Sequence, residues 1–241
     1  MKASRFKAAG LNCIEVTPDD TTGRDLPLFI CMHGRGDRAA SYVDLAPIIS
    51  EDGIRFVFPD APLPVPGAYY EWFRIDNPNR VVAAKDARAM VTKLITELRE
   101  KYQTPANRVI LGGFSQGGMM AFEVGLRYPE KLAGLAVMSG MLLANVPLDT
   151  QPVRFTHYYE QDQDLKAALE ETARRQTPIF IAHGTYDAVL PVAGGRSAHK
   201  LLKDAGVNVE YYEFPGQHEI SLEELVELKQ FLTKIMSNTT N

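Results

Sequence analysis

The sequence predicts an α/β protein with a mostly parallel central sheet and helices on both faces of that sheet. Apolar runs of strand length recur along the 241 residues, and several are apolar at consecutive positions, as in strands covered on both faces. Segments with helical periodicity separate these runs. Strands that alternate with helices favour parallel pairing through helical crossovers. We expect one domain over residues 1–241.

Each predicted element follows from its own pattern. The strand-like runs are 11–16, 26–33, 54–60, 108–114, 132–140, 177–184 and 207–214. The longest amphipathic pattern covers 80–102, and further helices are expected near 39–51, 116–128, 194–205 and 221–236. A short polar turn joins the first two strands, which are therefore candidates for an antiparallel pair at the sheet edge.

Two segments interrupt this alternation. Residues 59–69 carry four prolines, which predicts a loop over the C-terminal edge of the sheet. Residues 144–177 form a long connection, within which the pattern over 164–175 predicts an extra helix. Asp164 at its start and arginines at its end suit the helix dipole.

Composition narrows the class of function. The formal net charge is −4, from 26 basic and 30 acidic residues without a basic run, which argues against a nucleic-acid partner. Cys13 and Cys31 each lie in a strand-like run, a pattern typical of buried thiols rather than a disulfide or a metal site. We find no membrane span and no apolar core of signal-peptide length near the N-terminus, so we expect a cytoplasmic protein.

The segment GGFSQGG (112–118) places Ser115 between an apolar strand and a helical pattern. Gly113 and Gly117 flank the serine at two residues on either side. The segment alone could be a glycine-rich packing turn without chemistry. Its strand–turn–helix context is typical of a nucleophile elbow, in which the helix N-terminus directs free N–H groups toward the serine.

A serine nucleophile needs a base and an orienting carboxylate, which in this architecture follow it at the ends of later strands. His218 lies between the last predicted strand and the last helix, and Asp187 lies in the loop after the 177–184 strand. Alone, Asp187 could be a turn aspartate. The remaining histidines lie at strand ends, in the long connection or in a helix (His33, His183, His157 and His199). The order and placement favour a Ser115–His218–Asp187 triad.

Two backbone N–H groups are expected to form an oxyanion hole. One belongs to Gln116, directly after the nucleophile, and the other to Arg35, in the loop that follows the 26–33 strand. Apolar residues in nearby loops predict a groove for an acyl chain, although each of them alone could be ordinary packing. They are Leu63, Val65, Trp72, Phe73, Met141, Leu142 and Leu190.

The chain resembles the phospholipase/carboxylesterase family of α/β-hydrolases, which includes the acyl-protein thioesterases. The matching segments run in family order: HGRGD (33–37), FPDAP (58–62), WFRID (72–76), GGFSQGG (112–118), HGTYDAVLP (183–191) and PGQHEIS (215–221). The resemblance implies an α/β-hydrolase fold without a large lid domain, ester or thioester hydrolysis, and no metal or organic cofactor. By position, the family's nucleophile, acid and base fall on Ser115, Asp187 and His218. The 144–177 connection looks longer than is usual in the family, and we expect its helix at 164–175 to lie near the active site as a partial cap.

The expected activity is therefore hydrolysis of a small-molecule ester or acylated substrate with an apolar acyl group. Two alternatives stay open from the sequence. One is a peptidase or amidase that uses the same triad, and the other is a non-catalytic relative that binds a small ligand.

Overall fold

The computed structural model describes residues 1–21, 25–50, 53–67, 69–77, 80–143 and 162–237. The strands are β1 (Lys2–Ala8), β2 (Leu11–Thr17), β3 (Leu28–Met32), β4 (Arg55–Pro59), β5 (Leu63–Val65), β6 (Tyr69–Glu71), β7 (Val109–Phe114), β8 (Gly134–Met138), β9 (Ile179–Gly184) and β10 (Val209–Phe214). The helices are α1 (Leu45–Ile49), α2 (Arg80–Tyr102), α3 (Gln116–Gly125), α4 (Gln163–Arg175), α5 (Ala193–Asp204) and α6 (Leu222–Ser237), with 3₁₀ turns at Ala39–Tyr42 and Ala106–Arg108.

The central sheet has the strand order β1-β2-β4-β3-β7-β8-β9-β10. The six neighbouring strands β4, β3, β7, β8, β9 and β10 of this sheet all pair in parallel. Strands β1 and β2 extend the sheet beyond β4 by antiparallel pairing. Strands β3, β8 and β9 are buried at every position, because helices cover both faces. The core on one face includes side chains from α2 to α5, and the core on the other includes α1 and α6. The mostly parallel α/β sheet is confirmed.

The antiparallel edge differs from the prediction. The strand predicted at 11–16 pairs with β4 on one side and with β1 on the other, rather than with the strand that follows it in sequence. Strand β1 has no counterpart among the predicted strands, because Lys2–Ala8 is mostly exposed and lacks an apolar run. Such an edge strand is held by its backbone pairing, which composition does not reveal.

The proline-rich segment is also more regular than predicted. Within 59–69 and just beyond it, β5 and β6 form a small antiparallel pair, with Pro64 opposite Tyr70. A two-stranded sheet consists only of edge strands, where a proline without an N–H is tolerated. The helix predicted near 39–51 is two short segments, a 3₁₀ turn and α1.

The extra helix predicted at 164–175 is α4, but it packs away from the proposed site. Thr172 Oγ1 donates to the Leu126 carbonyl at 3.2 Å, and Arg127 pairs with Asp164 at 2.9 Å. These contacts lie beyond the C-terminal end of α3, whereas Ser115 lies at its other end, about 15 Å away at 1.5 Å per residue. The expected cap is therefore not supplied by α4. Residues 144–161 of the long connection lie outside the described residues.

Candidate active site

Ser115 joins the end of β7 to α3 in a strained conformation. Its φ of 55° and ψ of −118° lie where non-glycine residues are rarely found. The Ser115 N–H donates to the Met138 carbonyl at 2.9 Å, and the Met119 N–H donates to the Ser115 carbonyl at 3.0 Å. The neighbouring strand and the first helical turn thus hold the turn whose strain presents the serine side chain.

The two flanking glycines are required by close backbone approach. A β-carbon on Gly117 would lie 2.1 Å from the Met32 carbonyl oxygen at the end of β3. One on Gly113 would lie 2.5 Å from the Gly117 carbonyl carbon. Any side chain at either position would push the elbow away from β3.

The structure brings the three predicted triad residues into one hydrogen-bonded chain. His218 Nε2 lies 2.8 Å from Ser115 Oγ, and His218 Nδ1 lies 2.7 Å from Asp187 Oδ2. The Asp187 side chain is buried, and its Oδ1 accepts the N–H groups of Val189 at 2.9 Å and Leu190 at 2.8 Å. Those two donors orient the carboxylate toward the imidazole.

A second histidine lies beneath this carboxylate. His183 Nε2 is 2.7 Å from the Leu190 carbonyl and 3.3 Å from Asp187 Oδ2. Burial lowers the pKa of His183 below its usual value, so that the ring is neutral near pH 7. Because Nε2 must then carry the proton to donate to the carbonyl, His183 holds the loop that presents Asp187 without adding a charge.

His33 plays a comparable part at the end of β3. Its Nδ1 lies 2.7 Å from the Gly34 carbonyl, and its Nε2 accepts the Ala61 N–H at 3.0 Å, which fixes the proton on Nδ1. Burial also lowers the pKa of His33. Both histidines that the sequence placed at strand ends therefore bond locally to the loops around the site.

The two N–H groups predicted for an oxyanion hole lie on adjoining segments. A β-carbon on Gly34 would lie 3.3 Å from the Ser115 Cβ, so the loop that carries Arg35 abuts the nucleophile. Gln116 is the first residue of α3, where backbone N–H groups have no intrahelical acceptor. Within the described residues, neither the Arg35 nor the Gln116 N–H has a hydrogen-bond partner.

The seven apolar residues predicted to line a groove fall into two groups. Trp72 and Phe73 are 1% and 0% exposed, and Met141 and Leu142 are also buried. At these exposures Trp72 and Phe73 are core side chains in this structure, whereas the place of Met141 and Leu142 beside a groove stays a prediction. The partly exposed members are Leu63, Val65 and Leu190.

Other residues near the site were not predicted from the sequence. Tyr186 and Val189 are 70% and 66% exposed and flank Asp187 in the same loop. Their positions in TYDAVLP (185–191), beside the predicted acid Asp187, could have identified them from the sequence. Glu71 and Arg74 were missed as well, because only the structure shows that Glu71 is buried and ion-paired to Arg35 and Arg74.

The described part of the chain holds no cluster of three or more His, Cys, Asp or Glu side chains that could bind a metal ion. None of the helices in that part has both the length and the apolar character needed to cross a bilayer. Cys13 and Cys31 are buried free thiols.

The parallel sheet, the strained serine between strand and helix, and the chain order serine, aspartate, histidine after the ends of β7, β9 and β10 define an α/β-hydrolase. Residues 13–236 match the phospholipase/carboxylesterase family, and the chain belongs to that family. It is 29% identical over 225 residues to acyl-protein thioesterase 1 of Neurospora crassa, covering 85% of each chain.

Solved structures show the same relationship. The crystal structure of esterase PE8 aligns with a TM-score of 0.76 at 26% identity, over 98% of this chain and all of that one. The carboxylesterase of Bacillus cereus shares the fold, with a TM-score of 0.72 at 18% identity over 93% and 94% of the two chains. The chain is thus a hydrolase of the carboxylesterase type, and the predicted fold family is confirmed.

Proposed function

We propose that this protein is a serine hydrolase that cleaves carboxylic esters or thioesters with apolar acyl groups through an acyl-enzyme. The supporting observation is the continuous hydrogen-bonded chain from Ser115 through His218 to Asp187, with contacts of 2.8 and 2.7 Å. A merely structural serine has no need of a strained backbone and an imidazole at hydrogen-bond distance.

In the first step, His218 Nε2 accepts the Ser115 proton as Ser115 Oγ bonds to the substrate carbonyl carbon. Asp187 holds the imidazole with its proton on Nδ1 and stabilises the imidazolium. Collapse of the tetrahedral intermediate breaks the bond to the leaving group, which takes the proton from His218. Water, deprotonated by His218, then attacks the acyl carbon. The bond between that carbon and Ser115 Oγ breaks, His218 returns the proton to Ser115 Oγ, and the carboxylic acid leaves.

The oxyanion of each tetrahedral intermediate needs donors that already point at it. The free N–H groups of Gln116 and Arg35 are our candidates, since both adjoin Ser115 and neither is used elsewhere among the described residues. Loss of one such donor costs about 10²–10³ in turnover in other hydrolases. The start of α3 adds a partial positive charge.

An apolar acyl group suits the exposed surface beside Asp187. Tyr186 and Val189 present large apolar side chains there, next to the partly exposed Leu190. We place Leu63 and Val65 of β5 at the same surface, and buried Met141 and Leu142 beneath it. The acyl-protein thioesterase relatives support an acylated substrate. We keep the cytoplasm as the proposed location.

Hydrolysis of p-nitrophenyl esters from acetyl to palmitoyl tests the proposal. We expect wild type to turn over and Ser115→Ala to lose activity by several orders of magnitude, up to about 10⁶-fold as in other triad hydrolases. Ser41→Ala, at an exposed serine, is the matched control. A fluorophosphonate probe should label wild type at Ser115 alone. Inert wild type, or an active alanine variant, would refute the catalytic assignment, and preference for amide substrates would favour the peptidase alternative.

A further inference from the structure

Both proposed oxyanion donors have side chains bonded to one short segment, residues 71–73. Gln116 Oε1 accepts the Trp72 N–H, and Gln116 Nε2 donates to the Phe73 carbonyl, both at 2.8 Å. Arg35 Nε donates to Glu71 Oε2 at 2.7 Å. Two residues that are 81 positions apart in sequence are therefore anchored on three consecutive residues.

The backbone of the Arg35 loop is attached to the same strand. The Gly36 N–H donates to the Tyr70 carbonyl at 2.9 Å, and the Tyr70 N–H donates to the Asp37 carbonyl at 3.0 Å. Trp72 Nε1 donates to the His33 carbonyl at 2.9 Å. The loop is thus held on both sides of Arg35, and the Arg35–Glu71 ion pair fixes the residue between those attachments.

Glu71 is unusual among these partners because its carboxylate is almost fully buried. The Glu71 side chain is 2% exposed, whereas those of Arg35 and Arg74 are about half exposed. One carboxylate oxygen accepts from the Arg35 guanidinium at 2.7 Å, and the other accepts from the Arg74 guanidinium at 2.6 Å. Burying such a carboxylate is a poor way to stabilise a fold, since its desolvation offsets the attraction. Charge-assisted hydrogen bonds of this length are strongly directional, however, and they fix the position of the Arg35 side chain relative to Glu71.

We infer that Glu71 is a positioning residue, which through Arg35 sets the distance and direction of the Arg35 N–H relative to the Gln116 N–H. Gln116 fixes the other donor to the adjacent residues of the same segment. The separation of the two donors is then determined by the rigid geometry of residues 71–73. This role rests on the proposed function, because it matters only if the two N–H groups receive an oxyanion.

The test compares Glu71→Gln with Glu123→Gln. Glu123 is a matched control, with 1% exposure and ion pairs to Arg88 at 2.8 Å and Arg127 at 3.0 Å, but it lies on α3 two turns beyond Ser115. Displacing a reacting group by about 1 Å can cost about 10²-fold. We expect Glu71→Gln to lower kcat by about 10- to 100-fold with KM little changed, and to weaken binding of an alkylboronic acid, a tetrahedral analogue, by a similar factor.

Glu123→Gln should lose comparable thermal stability yet keep its kcat and boronate affinity. Equal losses of kcat in the two variants would overturn the inference, because they would trace to general destabilisation. A raised KM with unchanged kcat in Glu71→Gln would also overturn it, because Glu71 or Arg35 would then act in substrate binding.

A second variant keeps the test valid if Glu71→Gln does not fold. Arg35→Met retains the backbone N–H and leaves Glu71 paired with Arg74, so we expect it to fold and to show the same loss of kcat. Where both single variants fold, the double variant should be no slower than either, because one contact is broken in all three. Additive losses, or full activity in Arg35→Met, would refute the role of Glu71. Failure of the proposed function itself would appear separately, as wild type that neither turns over nor reacts at Ser115.

Discussion

Replacing Gly117 with alanine gives the sharpest test of how the elbow is built. The new methyl group would lie 2.1 Å from the Met32 carbonyl oxygen and 2.7 Å from that of His33, whereas ordinary contact begins near 3.4 Å. Because both obstacles are backbone atoms, no side-chain rotation relieves the clash. The start of α3 and the end of β3 must therefore separate by roughly 1 Å.

The size of the effect follows from this displacement. Overpacking a core typically lowers the free energy of unfolding by about 1–3 kcal/mol. Because the obstacle to Gly117→Ala is backbone, we expect a loss of about 3 kcal/mol, at the upper end of this range. At this chain length, about 2–4 °C of Tm is lost per kcal/mol, so we expect a fall of about 6–12 °C. The same shift moves Ser115 against His218 and the Arg35 loop, and kcat should fall about 10²-fold.

The neighbouring glycines supply a graded series for the assay. A β-carbon on Gly113 would approach backbone to 2.5 Å, and one on Gly118 only to 3.1 Å. Differential scanning fluorimetry and ester hydrolysis should therefore rank the alanine variants 117, 113, 118 from most to least impaired. Gly53→Ala, which meets only the Ser50 Oγ at 3.2 Å, is the control. Wild-type Tm and kcat in Gly117→Ala, or greater damage from Gly118→Ala, would refute the packing argument.

Three further predictions concern buried groups. Burial raises the pKa of Glu224 to about 8 from 4.5. Between these pH values the folded chain holds a proton that the unfolded chain releases. The contribution of Glu224 to the free energy of unfolding therefore falls as pH rises through that window, by up to about 1.4 kcal/mol per pH unit. Glu224→Gln keeps the capping-box contact with Ser221 and should remove this contribution. The unfolding free energy of wild type minus that of the variant, measured in urea from pH 5 to 9, should therefore fall as pH rises to about 8, and a difference that does not change with pH would contradict the assignment. Burial also raises the pKa of both thiols to about 12, so Ellman's reagent should react with Cys13 and Cys31 in urea but not in the native protein, and rapid native labelling would be evidence against their burial. Trp72→Phe leaves the buried His33 carbonyl without its donor and should lower the free energy of unfolding by about 1–3 kcal/mol, and an unchanged urea midpoint would show that this bond contributes little.

The parallel part of the fold and the Ser–His–Asp chain were accessible from sequence because each depends on a local pattern. The strands are marked by consecutive apolar residues, and Ser115, Asp187 and His218 each follow a strand in the order expected of the architecture. Neighbouring parallel strands have their C-terminal ends at the same edge of the sheet. Residues that follow β7, β9 and β10 are therefore expected to lie close together, even when the details of the loops are not known.

The parts that were missed depend on pairing between distant segments. The partner of β2 is β4, about 40 residues later, and nothing in LNCIEV specifies it. From the sequence, Trp72 could have been a substrate contact or a core residue, and its 1% exposure in the structure places it in the core. Nothing in the sequence marks Glu71 as buried, because an acidic residue beside two tyrosines in a polar, proline-rich region would ordinarily be exposed.

Because the proposed site joins residues as far apart as Ser115 and His218, 103 positions, hydrolytic activity should report on the completed sheet during refolding. The only tryptophan of the chain, Trp72, is bonded instead to the β3 end and to the Gln116 side chain. Its fluorescence should therefore follow the joining of residues 33–37 with 71–73 and α3, whereas ester turnover waits for β9 and β10. The two signals together would time the two halves of the site during a single refolding reaction.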